Sequence, residues 1–162
     1  MIKVVSLLLF ILLACACEPV GQAHTNKTSD ETPRYSCLKS QSDCLVKVDF
    51  GDFMIEFSGQ VEQGRIKTEL PFMMKLTFTA SEASYQLKQI SSYLEGVDMF
   101  MGKIPVLFQP DKQADYAWVA QTLLASCSEE IMTWRLWLQV DIVVKGQVEQ
   151  QQFFIDFASQ RL

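Results

Sequence analysis

The spacing of the apolar residues constrains this chain more than any other feature, and from Cys44 onward that spacing is two. Val46, Val48 and Phe50 alternate with Lys47 and Asp49; after a turn at Gly51-Asp52, Phe53, Ile55 and Phe57 alternate with Met54 and Glu56. Phe72, Met74, Leu76, Phe78 and Ala80 alternate with Met73, Lys75, Thr77 and Thr79. Trp134, Leu136, Leu138, Val140, Ile142 and Val144 form a long alternating run, and Phe153, Ile155 and Phe157 a last one. Successive side chains of a strand point to opposite faces, so each run reads as a strand with one face to bury. Turn signals separate the runs at Ser58-Gly59, Gln63-Gly64, Leu70-Pro71, Glu95-Gly96, Gln109-Pro110-Asp111 and Lys145-Gly146. No stretch carries a convincing helical period, and residues 116–125 fit another strand. Roughly seven to nine short antiparallel strands in about 120 residues predict a single all-β domain, an immunoglobulin-like β-sandwich over residues 35–162. The chain has 162 residues, enough for one domain, and its 49% hydrophobic content supplies the core.

The amino terminus reads differently. One positive charge, Lys3, precedes the apolar run 4–14, which is shorter than the ~20 residues a membrane-spanning helix needs. Residues 1–14 therefore read as a signal peptide. Leu12-Leu13-Ala14-Cys15 is similar to the lipobox of bacterial lipoproteins, which predicts a lipidated Cys15 at the mature terminus. Cys17 is the second choice, because Ala14 rather than a large aliphatic residue stands three places before it. An ordinary cleaved signal that frees the protein is the alternative. Ala16 is not the aspartate associated with inner-membrane retention, so the outer membrane is favoured, with the domain in the periplasm. Residues 15–34 are polar, rich in Pro, Gly, Thr, Ser and Asn, and read as a flexible tether. The tether holds His24, the only histidine of the chain. The net charge of −5 lacks the cationic field that nucleic acid requires, so the expected partners include the membrane, through the lipid, and no nucleic acid.

Three cysteines follow the signal region: Cys37, Cys44 and Cys127. An oxidising compartment favours disulfides, and an odd count leaves one thiol over. A Cys37–Cys44 bridge closes a local loop and is the favoured pairing. The parity of Cys44 with Val46 and Val48 keeps open a bridge across the core to Cys127. If the local bridge forms, Cys127 is a free thiol that needs burial or a metal to persist.

The stretch Gly96-Val97-Asp98-Met99-Phe100-Met101-Gly102-Lys103 is the most informative one. On a strand Met99 and Met101 share a face. Continued parity groups Phe100, Ile104, Val106 and Phe108 as the core side and turns Met99, Met101, Lys103 and Gln109 outward. Two exposed thioethers are a soft donor pair, and soft sulfur ligands select copper(I). A second sulfur group, Cys127 and Met132, flanks an expected turn, with Trp134 to shield an ion and Glu129 or Glu130 to draw cations. The competing reading is packing: Met132 shares parity with Trp134 and Leu136, and methionine is a common filler of cores.

Cys37 with Cys44, the Met99-Phe100-Met101-Gly102 piece, and Cys127 followed by Met132-Thr133-Trp134 together resemble a group of small proteobacterial envelope lipoproteins associated with copper delivery and cytochrome-oxidase assembly. The likeness spans roughly residues 36–140. It implies copper(I) as the ligand of Met99, Met101, Cys127 and Met132, and an envelope or respiratory-assembly protein as partner. The domain departs from familiar periplasmic copper chaperones in having no histidine, which leaves a sulfur site alone.

Enzyme constellations are missing from the sequence. A serine triad or zinc-hydrolase helix needs histidine in the domain, thioredoxin-like chemistry needs Cys-x-x-Cys, and no phosphate-binding glycine loop occurs. Glu129 and Glu130 are adjacent, so on a strand they would face opposite ways rather than form a carboxylate pair. The expected function is therefore a copper(I)-binding or copper-delivery accessory module, not an enzyme. The alternative is a non-metal adaptor lipoprotein that uses Trp137, off-parity between Leu136 and Leu138, as an anchor.

Overall fold

The alternating runs form strands, and most of the expected turn signals separate them, but Glu95 and Gly96 end a strand and Gln109-Pro110 forms a short one of its own. The structure, a computed structural model, describes residues 34–37 and 43–162. The signal peptide, both candidate lipidation sites Cys15 and Cys17, and His24 of the tether lie outside the described residues. Twelve strands follow in chain order: β1 (Arg34–Ser36), β2 (Asp43–Val48), β3 (Gly51–Ser58), β4 (Val61–Glu62), β5 (Arg65–Lys67) and β6 (Phe72–Ala80), then β7 (Gln86–Gly96), β8 (Lys103–Val106), β9 (Gln109–Pro110), β10 (Ala117–Thr122), β11 (Ile131–Val144) and β12 (Gln147–Gln160). The count exceeds the expected range because four of them are pieces of two or three residues.

One sheet has the order β4-β5-β12-β11-β7-β8, with β1 also on β12; the other has the order β2-β3-β6-β10-β9. The all-β sandwich is thus as expected, but it is not purely antiparallel. β1 runs parallel to β12, Tyr35 opposite Ile155, and β5 runs parallel to β12, Ser159 opposite Ile66. Parallel neighbours need a long crossover between them. Here nearly the whole domain is that crossover, because β1 opens it and β12 closes it, and this order is not visible in local periodicity.

The two 14-residue strands β11 and β12 pair along their full length, from Ile131 opposite Gln160 to Val144 opposite Gln147. Lys145 and Gly146 join them with φ of 51° and 84°, the two positive values that a two-residue hairpin requires. Gln63 and Gly64 make the same kind of turn between β4 and β5. In the hairpin of β2 and β3 the turn is Asp49-Phe50, two residues earlier than the Gly51-Asp52 read from sequence, and Gly51 already pairs with Val48.

The sheets bury their facing sides against one another. Phe53 of one sheet meets Phe153 of the other with ring centroids 5.0 Å apart, and Phe57 meets Phe157 at 4.9 Å. Every second residue of β11 from Met132 to Val144 is buried. Trp134 has no exposed surface, and its indole N–H donates to Ser159 Oγ at 3.1 Å, so the polar end of the largest buried ring is satisfied. Cys37 and Cys44 are bridged, with Cα atoms 5.4 Å apart, and both are buried. The bridge ties the chain beside β1, in one sheet, to β2, in the other.

Candidate sulfur site

β7 ends at Gly96, and the chain then loops through residues 97–102 before β8 begins at Lys103. Met99 and Met101 are therefore on a loop, not on a strand, and strand parity does not extend to them. Phe100, expected in the core, is 84% exposed. Met99 is exposed as expected, whereas Met101 turns inward and packs partly against the core. Parity resumes in β8, where Val106 is buried and Lys103 exposed.

Two hydrogen bonds strap this loop to the start of β11. Val97 N–H donates to the Thr133 carbonyl at 2.9 Å, and Thr133 N–H donates to Asp98 Oδ2 at 2.7 Å. The strap brings residues 97–102 beside Met132. Gly96 is what lets them close: a Cβ there would collide with the Met99 carbonyl oxygen and sit 3.3 Å from both Met101 Cγ and Met132 Cε. Both methionine side chains thus crowd the same bare α-carbon. In the sequence Gly96 reads only as a turn residue; its role as the floor under two thioethers follows from its place opposite Trp134, which local pattern does not show.

The third sulfur comes from the loop before β11. Cys127 is a free, half-buried thiol whose Sγ lies 2.8 Å from Met132 Sδ. Glu129 N–H donates to Cys127 Sγ at 3.3 Å. The loop itself is fixed at several points. Leu124 is fully buried and its carbonyl accepts from Glu69 N–H at 2.8 Å; the Ser126 hydroxyl donates to the Glu69 carboxylate. Arg161 holds the far side, with its N–H on the Glu130 carbonyl at 2.8 Å and its guanidinium on the Ser128 carbonyl at 3.2 Å. Met132 is 2% exposed, with Cys127 Sγ against its sulfur and Met101 beside the same glycine as its methyl group. Ser159 Oγ, which accepts from Trp134, in turn donates to the Met132 carbonyl at 3.5 Å.

Of the four residues marked in the sequence, Cys127 and Met132 are in contact, Met101 adjoins Met132 across Gly96, and Met99 is at the exposed edge of the same loop. Glu129 and Glu130 are both exposed. Among the described residues no group of three or more His, Cys, Asp or Glu gathers, so the cluster is one of sulfur.

Trp137 points away from the core, as its parity requires, but is only half exposed. Its indole N–H donates to Glu95 Oε1 at 2.5 Å, and its ring packs on Phe154 at 4.8 Å. Arg135 lies 3.7 Å from the Phe154 ring and pairs with Asp156 through two hydrogen bonds of 2.7 and 2.8 Å. Asp156 raises the already high pKa of that guanidinium. The outer face of this sheet is thus knitted together, and Trp137 is a member of it rather than a free anchor.

The fold and site define a two-sheet β-sandwich with a thiol–thioether cluster at one end. No protein-family profile matches the chain, and no curated protein matches its sequence. In fold it is similar to a DUF4785 family protein from Legionella pneumophila, with a TM-score of 0.53 and 12% identity over 72% of this chain. The chain spans 30% of the length of that protein. A superoxide reductase (neelaredoxin) from Ignicoccus hospitalis aligns with a TM-score of 0.41 and 13% identity, over 68% of this chain and 80% of its own.

Proposed function

We propose that this protein is a copper(I)-binding accessory module of the cell envelope, with no catalytic activity of its own. Cys127, Met132 and Met101 are its donors, and Met99 is a further thioether at the loop's edge. The observation that carries the reading is the contact of Cys127 Sγ with Met132 Sδ beside Met101, on a floor kept open by Gly96. A thiolate and two thioethers are a soft set that suits copper(I) and gives little to magnesium or calcium. The residues fit the ion in type. The order of charge, apolar run and cysteine in residues 1–17 supports a lipid anchor on Cys15, an outer-membrane address and a periplasmic domain. On this reading the partner is an envelope or respiratory-assembly protein that gives or takes the ion.

The test is competition between the reduced full chain and a chromophoric copper(I) chelator. One equivalent is retained, and Cys127→Ser or Met132→Leu releases it to the chelator. Failure of the wild type to compete, or equal retention by both variants, rejects the reading. A second reading, a metal-free adaptor, draws on the 84% exposure of Phe100 at the tip of the same loop. In that case Phe100→Ser abolishes capture of the partner while copper has no effect.

A further inference from the structure

The first residues of β7, at the end opposite Gly96, border a groove of about 670 Å³, within the ~300–1,000 Å³ typical of small-molecule sites. Its aromatic wall is Phe78, Tyr85, Tyr116 and Trp118, and two carboxylates, Asp111 and Asp115, also line it. Tyr116 is 72% exposed and has a φ of 59°, a left-handed conformation that is unfavourable for a residue with a bulky side chain. The backbone around it is held there: Phe78 N–H donates to the Tyr116 carbonyl at 3.0 Å, and Asp111 N–H to the Ala117 carbonyl at 2.8 Å. Gln113 N–H donates to Asp111 Oδ1 at 2.9 Å and closes the preceding turn. The fold thus spends backbone strain to present a phenol ring to solvent beside an apolar groove.

The charge around the groove has one dominant sign. The Tyr85 phenol is hydrogen-bonded to Glu82 and faces Glu149 more distantly; the Glu82 bond, desolvation and the two carboxylates together raise its pKa. Asp111 has Lys75 at 3.8 Å, and the exposed Lys112 follows it in the chain. Among the described residues Asp115, Glu82 and Glu149 form no ion pair. Ring faces attract cations through their quadrupole, and the attraction adds to that of nearby carboxylates. Methylene groups pack on the same rings.

We infer that this groove binds a linear organic polyamine, its ammonium groups toward Asp115, Asp111 and Glu82 and its methylene chain across Tyr85, Tyr116 and Trp118. A neutral sugar would use the rings but leave the carboxylates idle. A bare metal ion would use the carboxylates but gain nothing from the rings.

The probe is spermidine, titrated into the full chain in detergent at low ionic strength and followed by calorimetry. Saturable one-site binding is expected, weakened about tenfold or more by Asp115→Asn and by Tyr116→Gly. Tyr116→Gly removes the ring and also relieves the left-handed strain, so that variant gains thermal stability while it loses ligand. Copper(I) retention is unchanged in both variants, which keeps this site separate from the sulfur cluster. No saturable heat up to about 1 mM spermidine overturns the inference. So do affinities unchanged in the variants, displacement by equimolar magnesium, or equal binding of an uncharged diol of the same length.

Discussion

Met132 does two jobs from one buried position: its side chain fills the end of the core, and its sulfur touches Cys127. The two roles separate by substitution. Met132→Leu keeps volume and apolarity, so it costs less than about 1.5 kcal/mol of stability in chemical denaturation. The same change removes a soft donor and is expected to weaken copper(I) retention at least tenfold, whereas Met99→Leu, at the exposed edge, has a smaller effect. Trp134 and Ser159 supply a comparison at the same scale. Ser159→Ala strands a buried indole N–H and is expected to cost about 1–3 kcal/mol without touching a sulfur. The sequence showed the residue types of the site plainly, because sulfur is rare and its pairs stand out. It did not show which thioethers turn inward: Met132 obeyed strand parity, while Met101 escaped it by lying on a loop.

At the scale of elements, the loop of residues 97–102 is the piece on which the site depends. Its two hydrogen bonds to Thr133 dock it on β11, and Gly96 gives it room. Gly96→Ala forces a methyl group into the Met99 carbonyl and against both methionines, an overpacked change expected to cost about 1–3 kcal/mol. Asp98→Ala leaves Thr133 N–H without its acceptor and frees the loop that carries Met101, but removes no sulfur. Faster amide exchange at Thr133, together with weaker copper(I) retention, is the expected result; unchanged retention would show that the strap does not position Met101. Strands were legible wherever one face is buried, as in β3, β6 and β11, whose burial alternates residue by residue. The loop was not, because Phe100 continues the apolar alternation past the point where pairing with β11 stops at Gly96. The exposure of Phe100 and the strap from Asp98 are tertiary facts that no local pattern carries.

For the whole molecule, the sandwich is closed by long-range pairings of its first and last strands. β1 on β12 and the Cys37–Cys44 bridge both act where the two sheets meet the chain's entry. Reduction of that bridge releases a short loop and is expected to lower stability by about 2 kcal/mol, read as a fall in Tm under reducing conditions. Peptide mapping without reduction should find Cys37 joined to Cys44 and Cys127 open to alkylation. The alternation predicted a sandwich because two one-sided sheets have no other face to bury against. It did not predict the parallel pairing of β1 and β5 with β12, which depends on the order of strands in space. The sulfur cluster and the aromatic groove lie toward opposite ends of β7, so they can be lost separately.

The most direct test of the sulfur site is the X-ray absorption spectrum of the protein loaded with one equivalent of copper(I). The expected result is a copper coordination sphere made of sulfur alone, with the thiolate contribution lost in Cys127→Ser. A shell of nitrogen or oxygen scatterers, or a spectrum that the Cys127→Ser and Met132→Leu variants leave unchanged, would contradict it.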